Sequence, residues 1–522
     1  MKKKIKLYVG KTIKEKEVNY IPVRYIFAFL ITIFEVLAII GVMIALCIYV
    51  PYFYIAVAIT TFAVELKIIV SDDNPDYKIP WMIFVLILPV VGLMLYFIFS
   101  SRKLKKKFIR RLKLLKNKYS YKKDDSALIQ NLKQENLIAY NQAQTLCSIA
   151  DTCVFTNTTQ KYFSTGEEYY ENLLKDLKNA TKFIYMEYFI IEEGKFWDSI
   201  LEVLKEKAKQ GLEVKLTFDD IGCMTTLTGN YSKILKKFGI QATPFSRLRG
   251  SADSEFNNRN HRKITVIDGI IGYTGGINIA DEYINELEKY GHWKDIGLRL
   301  EGEAVWELTR LFLIDFGINE KNMSEPQHNI FPTISNATEN GYIIPFGDGP
   351  KPLYDRRVGK TLIQNILNTA TNYVYITTPY LIIDNELCTC IENTALRGVD
   401  VRIIVPHIPD KKIVFNMTRS FYKRLMSAGV KIYEYEPGFI HAKSYIADDQ
   451  YAMIGTINLD YRSLVHHFEN GVWLYNCNCI KDIKKDIDKT LSSSILITKD
   501  KIKTNIFNRF FRALVRIFAP LL

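Results

Sequence analysis

Hydrophobic positions follow two patterns in this chain, and the change comes near residue 100. Before it they form runs. Residues 25–50 are apolar apart from Glu35, residues 51–66 continue apolar with Lys67 close behind, and residues 79–99 carry no charge. A bilayer core is spanned by about 20 apolar residues, whereas a secretory leader has a shorter apolar core and a small-residue cleavage site. The runs therefore predict retained membrane helices. After residue 150 the pattern becomes short β-runs alternating with helical stretches, which predicts an α/β sheet.

The α/β part repeats itself. Residues 182–191 form a β-run, 197–210 a helical stretch, and 211–218 a second β-run that starts at Gly211. Residues 373–382, 387–397 and 398–405 repeat the order, with Gly398 in the matching position. Glycine just past a helix end permits the left-handed cap. A strand–helix–strand unit implies parallel pairing. Each copy continues with another helix (231–238 and 414–428) and a further strand.

Each copy then carries the same signature. The first has His261, Lys263 and Asp268, then Gly275, Gly276 and Asn278; the second has His441, Lys443 and Asp448, then Gly455, Thr456 and Asn458. Both read H-x-K-x4-D-x6-G-[GT]-x-N. One copy would be a weak signal, but two with the same spacing 180 positions apart are not a chance pattern. On a strand, residues two apart share a face, so each histidine lies beside its lysine. Each aspartate ends its strand at a turn and reads as a structural pin within the motif. Imidazole, ammonium and amide groups converging on one point describe a phosphate site.

Charge changes the picture further. The net charge is +13, which alone would suggest a nucleic-acid or membrane partner. Residues 1–24, 101–123 and 501–522 carry +6, +12 and +5, which leaves −10 for the rest and −7 for residues 124–500. A nucleic-acid enzyme is basic across its binding face, so no nucleic-acid partner is expected. The basic N-terminus and the basic stretch after the last apolar run predict that both face the cytoplasm. That needs an even number of crossings, yet there are three runs. Either one run is re-entrant or interfacial, or the N-terminus faces out, so two or three spans remain open. The eight cysteines show no C-x-x-C spacing and read as reduced, mostly buried thiols.

The paired motif resembles the phospholipase D superfamily, and with the N-terminal spans the chain is similar to the bacterial cardiolipin synthases within it. The resemblance implies transmembrane helices followed by two pseudo-twofold-related α/β lobes sharing one cleft. It implies a phosphatidyltransferase that makes cardiolipin and glycerol from two phosphatidylglycerols through a phosphohistidine, with no cofactor and no metal. Family practice suggests His261 as nucleophile and His441 as acid. Lys263, Lys443, Asn278 and Asn458 would hold phosphoryl oxygens. An acid downstream of each motif would orient a histidine: Asp295, 34 positions after His261, in the first copy, and Glu469, 28 after His441, in the second. A hydrolase releasing phosphatidic acid and a superfamily nuclease are the alternatives, with the spans and the −7 against the nuclease. Partners would be phosphatidylglycerol and anionic lipid at the bacterial cell membrane, with the lobes cytoplasmic and the oligomeric state open. The expected divisions are 1–100 membrane region, 101–150 basic juxtamembrane linker, 151–330 first lobe, 331–498 second lobe and 499–522 tail. Within that scheme, residues 337–349 read as an acidic connecting loop near the cleft mouth. The tail sets Arg509, Arg512 and Arg516 on one face of an amphipathic interfacial helix.

Overall fold

Each repeat folds into one mixed sheet, and the two sheets share a strand order. The first lobe contributes β1 (Thr158–Phe163), β2 (Phe183–Tyr188), β3 (Glu213–Asp219), β4 (Gln241–Phe245), β5 (Lys263–Ile267), β6 (Ile271–Gly275) and β7 (Gly297–Gly302). They lie in the order β1-β7-β6-β5-β2-β3-β4. The second lobe contributes β8 (Tyr342–Asp348), β9 (Tyr373–Thr377), β10 (Asp400–Pro406), β11 (Lys431–Tyr435), β12 (Ser444–Ala447), β13 (Tyr451–Gly455), β14 (Glu469–Tyr475) and β15 (Ser494–Leu496). Their order, β8-β14-β13-β12-β9-β10-β11-β15, repeats the first and adds one strand. These assignments come from a computed structural model that describes residues 2–9, 12–19, 23–100, 106–120, 125–247, 257–319, 330 and 340–502. The tail helix expected over 506–518 and part of the basic stretch after residue 100 lie outside the described residues.

The helix-connected strands pair in parallel, as the repeat predicts: β2 with β3 and β3 with β4, then β9 with β10 and β10 with β11. The glycines after the connecting helices adopt φ of +93° at Gly211 and +92° at Gly398, and a β-carbon at either would meet nothing within 4 Å. Backbone conformation alone therefore requires glycine there. The motif halves are antiparallel instead, because β5–β6 and β12–β13 are joined by turns too short for a crossover. Asp268 and Asp448 sit at these turns with φ of +55° and +53°. Asp268 accepts hydrogen bonds from the backbone of Thr181, Lys182 and Phe183 at 2.7–2.9 Å and from the Thr181 hydroxyl at 2.8 Å. Asp448 does the same for Thr371, Asn372 and Tyr373. Each motif aspartate thus ties the end of β5 or β12 to the start of β2 or β9.

The two sheets bury a common core. Tyr185, Ile264 and Leu298 of the first sheet and Ile446, Ile454 and Val472 of the second belong to one cluster, with Leu308 and Phe312 of the helix Val305–Asn319. Burying one such side chain contributes roughly 2 kcal/mol, so a core drawn from both lobes makes their separation costly.

Two expected connectors prove to be structural. Residues 342–348, read as loop from their Gly-Asp-Gly-Pro ending, form the edge strand β8, with Ile343, Ile344 and Phe346 buried and Asp348 paired to Glu469. An edge strand tolerates the proline at 345, whose missing N–H needs no partner on the open side. Residues 106–150, read as a linker, contain the helices Lys106–Lys118, Ser126–Glu135 and Leu137–Ala150. The first buries Leu112 and Leu115 in the shared core, and Leu115 packs on Gly317. The last buries Ala139, Ala143 and Leu146 in the second lobe and accepts a bond from Trp473 Nε1 on Gln142 at 2.9 Å.

At the N-terminus, strands Lys2–Val9 and Thr12–Asn19 form an antiparallel hairpin. Helices α1 (Val23–Tyr49) and α2 (Pro51–Val70) follow, and both are long and apolar enough to cross a bilayer. The third apolar run breaks at Leu88–Pro89 into α3 (Pro75–Ile87) and α4 (Pro89–Phe99), 13 and 11 residues long. A β-carbon on Gly92 would lie 2.3 Å from the Phe84 carbonyl oxygen, so the two short helices meet at a tight bend. Tyr77, Trp81 and Val85 of α3 pack with Val57, Val64 and Ile68 of α2.

Replacing Asp268 or Asp448 by alanine leaves three backbone N–H groups without their acceptor, at a cost of about 2–3 kcal/mol. The expected outcome in detergent is a melting temperature lowered by several degrees, read by intrinsic fluorescence.

Candidate active site

Two cross-lobe backbone pairings build the site. Strand Gly438–Ile440 of the second lobe runs parallel to His292–Lys294 of the first, with Gly438 opposite His292 and Ile440 opposite Lys294. The next residues in register are His441 and Asp295. Correspondingly, Asn260 of the first lobe bridges Phe468 of the second in parallel, and the next residues are His261 and Glu469. The histidine N–H groups close both contacts, His261 N to Phe468 O at 2.8 Å and His441 N to Lys294 O at 2.7 Å.

This register pairs each histidine with the acid of the opposite lobe. His261 Nδ1 lies 2.9 and 3.0 Å from the two Glu469 oxygens, and His441 Nδ1 lies 2.7 Å from Asp295 Oδ2. Each acid thus faces the histidine of the other copy and not the one that precedes it in its own.

Each acid is held differently. Gly276 leaves room for Asp295, since a β-carbon there would lie 2.1 Å from Asp295 Oδ1. In the second copy Thr456 takes this position, and its hydroxyl donates to Glu469. Ser463 donates to the other Glu469 oxygen at 2.6 Å. Thr456 lies inside the quoted motif, so its variation from glycine was a visible signal; Ser463 had none.

The lysines fold back along their own strands. Lys263 Nζ donates to His261 O at 2.7 Å. Lys443 Nζ donates to His441 O and lies 2.7 Å from His441 Nδ1. Asn278 and Asn458 differ. The Asn278 amide is engaged at both ends, accepting from Ile190 N at 3.1 Å and donating to Tyr283 Oη at 2.6 Å. The Asn458 oxygen is buried without a hydrogen-bond partner. The Asn458 atom left unpaired is an acceptor, so only its Nδ2–H groups could face a phosphoryl oxygen. Asp268 and Asp448, part of the catalytic motif by sequence, act at the strand ends described above, where their reading as structural pins puts them, and not on the histidines.

Aromatic rings enclose the histidines. Phe189 meets His261 edge-on at 5.1 Å, and Tyr283, Trp293 and Phe439 surround His441 at 5.4–6.0 Å. His261 and His441 are 6% and 7% exposed, so a substrate reaches little more than one ring edge of each. His467, to which the motif assigns nothing, lies with its ring 5.5 Å from that of His261 and its Nδ1 3.6 Å from Glu469. His261, His467 and Glu469 have ligand atoms within 4.8 Å of one another. Hydrogen bonds from His261, Ser463 and Thr456 already occupy that carboxylate, so its spacing serves a hydrogen-bonded unit rather than an open coordination shell.

Burial first, and then the nearby lysine ammoniums, holds both histidines down, His261 to about 3 and His441 to about 4, although the facing acids pull upward. Burial acts to raise Glu469 and Asp295, but the facing imidazole outweighs it at Glu469, and Lys443 together with His441 at Asp295, so both stay below the usual carboxylate range. At His261, whose Nδ1 meets only carboxylate oxygens, the resting state is thus a neutral imidazole donating Nδ1–H to ionised Glu469. That tautomer leaves the Nε2 lone pair free. Burial and, for Lys263, the charge of Lys443 push Lys263 down to about 7; burial brings Lys443 to about 8. Two buried lysines facing the same carboxylates, one depressed by the charge of the other, leave a place for one more anion.

Two outcomes follow. Gly276→Ala drives a methyl group into the Asp295 carboxylate, and misplacing an orienting group by about 1 Å costs on the order of 100-fold in turnover. Steady-state rates on a membrane-reconstituted protein check this, with an unchanged melting temperature as control. The lysines hold phosphate only when protonated, so kcat/KM falls as pH rises through about 7 to 8. The slope approaches about tenfold per pH unit, and Lys263→Arg moves this limb to higher pH.

The comparisons with known proteins agree with this geometry. A family model described as "Cardiolipin synthase, PLD-like domain" matches residues 173–289 and 363–491, and one described as "Phospholipase_D-nuclease N-terminal" matches 54–100. A Streptococcus mutans protein of undescribed function is 41% identical over 450 residues, 85% of this chain and 96% of its own length. A cardiolipin synthase of Halalkalibacterium halodurans is 31% identical over 477 residues, 90% of this chain and 94% of its own. The crystal structure of the phosphatidylserine synthase of Haemophilus influenzae superposes with a TM-score of 0.55 at 15% identity, covering 74% of this chain and 98% of that one, which establishes the shared fold. With two motif-bearing lobes, crossed histidine–acid pairs and relatives that align over nearly their full length, this chain belongs to the cardiolipin synthase family of the phospholipase D superfamily.

Proposed function

We propose that the chain transfers a phosphatidyl group from one phosphatidylglycerol to another, giving cardiolipin and glycerol, and that His261 is the nucleophile. The observation that carries the reading is the crossed pair of buried histidine–carboxylate contacts. His261 Nε2 attacks phosphorus, the bond to the glycerol headgroup oxygen breaks, and His441 supplies the proton that leaves with glycerol. A terminal hydroxyl of a second phosphatidylglycerol then gives its proton to His441 and attacks phosphorus. The phosphorus–nitrogen bond breaks, cardiolipin leaves, and His261 is neutral again. Lys263 and Lys443 neutralise the phosphoryl oxygens as charge builds, and the Asn458 amide N–H groups donate to them. The arriving phosphodiester anion favours a proton on His441, which in the empty site is neutral.

The role assignment rests on a difference between the lobes. His261 Nδ1 faces carboxylate oxygens alone, whereas His441 Nδ1 faces both a carboxylate and the Lys443 ammonium. The residues on either side of His261 are also pinned by buried polar groups, Arg259 on Asp219 at 2.8 Å and Arg262 on Asp315 at 2.7 Å. Residues flanking His441 are the apolar Phe439, Ile440 and Ala442. A fixed tautomer on a rigid segment suits the nucleophile.

Membrane association sets the proposed topology. With α1 and α2 as two spans, the N-terminus and the loop after α2 lie on one side. That loop contacts the second lobe, with Asn74 Nδ2 3.0 Å from Asp384 Oδ2. The lobes then share that side, which the flanking basic segments make cytoplasmic, and α3–α4 does not cross. Phosphatidylglycerol as substrate, anionic lipid under the basic stretch and lobes divided near residue 330 complete the reading.

Supplied with pure phosphatidylglycerol, membranes containing the protein yield cardiolipin and glycerol in equal amounts; phosphatidic acid alone would make it a hydrolase. His261→Ala and His441→Ala each abolish product. A p-nitrophenyl phosphatidyl ester, whose leaving group needs no proton, separates the roles. His441→Ala keeps a burst of nitrophenolate on this ester and His261→Ala loses it, and the opposite result exchanges the assignment.

A further inference from the structure

The membrane region, α1–α4 (the membrane hairpin), meets the second lobe beside the catalytic machinery at the start of α3. Asp76, at the start of α3, accepts hydrogen bonds on Oδ2 from the backbone N–H of Asn385 at 2.6 Å and from the Tyr461 hydroxyl at 3.2 Å. Beside it, Asn74 donates to Asp384 at 3.0 Å, and Asp384 itself caps the helix Asn385–Leu396 through Leu387 N at 2.9 Å. Two helix N-termini, one belonging to the membrane region and one to the second lobe, therefore share their caps.

Tyr461 has a second role. It precedes a single π-helical turn, Arg462–His466, a rare geometry frequently found at functional sites. The far end of the turn also meets the hairpin, the His466 ring lying 6.5 Å from that of Tyr77. Between these two contacts the turn carries Ser463. Its hydroxyl donates to Glu469 Oε1 at 2.6 Å and accepts from Asn458 N at 2.9 Å. One serine thus holds both the acid that orients His261 and the residue whose amide oxygen is unengaged. The first lobe has no such turn in the equivalent place; Asp281–Ile284 there is a 3-10 turn, and Asp281 caps the helix Lys195–Lys209.

The joint is polar rather than close-packed. A cavity of about 350 Å³ lies beside it, lined by Asn74, Arg357, Lys360 and Tyr461 among others. A hydrogen-bonded contact next to a cavity can shift without disturbing a packed core.

We propose that Asp76 is a positioning residue for the transfer reaction: by holding Tyr461, it sets the π-turn and hence Ser463 against Glu469, so that the nucleophile is oriented only when the membrane hairpin is seated on the second lobe. The inference rests on the two-histidine reading of the site. It makes the membrane region part of the catalytic apparatus rather than a tether, through the chain Asp76, Tyr461, Ser463, Glu469, His261.

The test uses the full-length protein in vesicles of phosphatidylglycerol. Asp76→Ala and Tyr461→Phe each lower kcat about tenfold, as expected when an orienting chain loosens, and leave KM within about twofold. Losing the serine hydroxyl from Glu469, which otherwise faces His261, His467, Lys263 and Lys443, weakens its hold on the ionised form. The acid limb of kcat/KM therefore moves to higher pH in Ser463→Ala, and the same displacement is expected in Asp76→Ala and Tyr461→Phe. The double variant Asp76→Ala with Ser463→Ala is no slower than Ser463→Ala alone, because the residues act in series. Asp76→Asn, which keeps an acceptor oxygen, restores most of the rate. A wild-type pH profile in Asp76→Ala and Tyr461→Phe, or multiplicative losses in the double variant, would overturn the proposal. So would a loss explained wholly by less protein reaching the membrane. If wild-type protein forms phosphatidic acid in place of cardiolipin, the functional reading fails, and the same rate and pH comparisons made on that product still decide the role of Asp76.

Discussion

A neutral imidazole hydrogen-bonded to a carboxylate from the other lobe is the contact on which this architecture depends. Neither lobe can orient its own histidine. The acid reaches its partner because a short parallel backbone pairing crosses the interface and places histidine and acid at the next register position. A shift of one lobe against the other by a single residue would separate both pairs at once. The shared core between the sheets is what prevents such a shift, so the packing of the lobes and the histidine–acid distances belong to one constraint. Each lobe alone would hold a motif with an unoriented histidine and a buried acid lacking its counter-group, an arrangement that costs several kcal/mol per uncompensated charge.

The crossing also explains how a duplicated fold supports unequal chemistry. The strand order is repeated, but the groups around the motifs are not. Arg259, Asn260 and Arg262 fix the first histidine within a buried polar network, whereas Phe439, Ile440 and Ala442 surround the second with apolar side chains. Glycine faces one acid and threonine the other. Small substitutions at equivalent positions thus give the two imidazoles different surroundings, an asymmetry that the proposed two-step displacement would use.

Much of this was legible in the chain. The β-run, helix, β-run order, the glycines after the helices and the two motif copies carry the α/β lobes and the histidine–lysine pairs, because apolar runs, left-handed caps and fixed motif spacing are local properties. Asp268 and Asp448 as strand-end pins were readable for the same reason. The crossed pairing of Asp295 with His441 was not, since residues 146 positions apart met through an interface that no local rule describes. Strand β8 was misread because an edge strand accepts the proline and glycines that mark a loop. The break in the third apolar run lies at Pro89, which hydropathy alone passes over, and the docking of residues 106–150 onto both lobes was hidden by their charge. Long lysine and arginine side chains let such helices bury a narrow leucine face while the rest stays solvated.

Whether a covalent phosphatidyl group meets water or another lipid is decided by what surrounds it. Water at high concentration would outcompete a lipid hydroxyl in an open cleft. Here Phe189, Tyr283, Trp293 and Phe439 close around the two imidazoles, and each histidine exposes less than a tenth of its surface. The same walls that depress the histidines and lysines by desolvation therefore keep bulk water from the intermediate. An amphiphile delivered along the membrane surface needs no aqueous approach, because its hydroxyl arrives attached to a headgroup already at the cleft. The desolvation that tunes the acids and bases and the selectivity for an alcohol over water thus have one physical origin, the burial of both motifs between lobes.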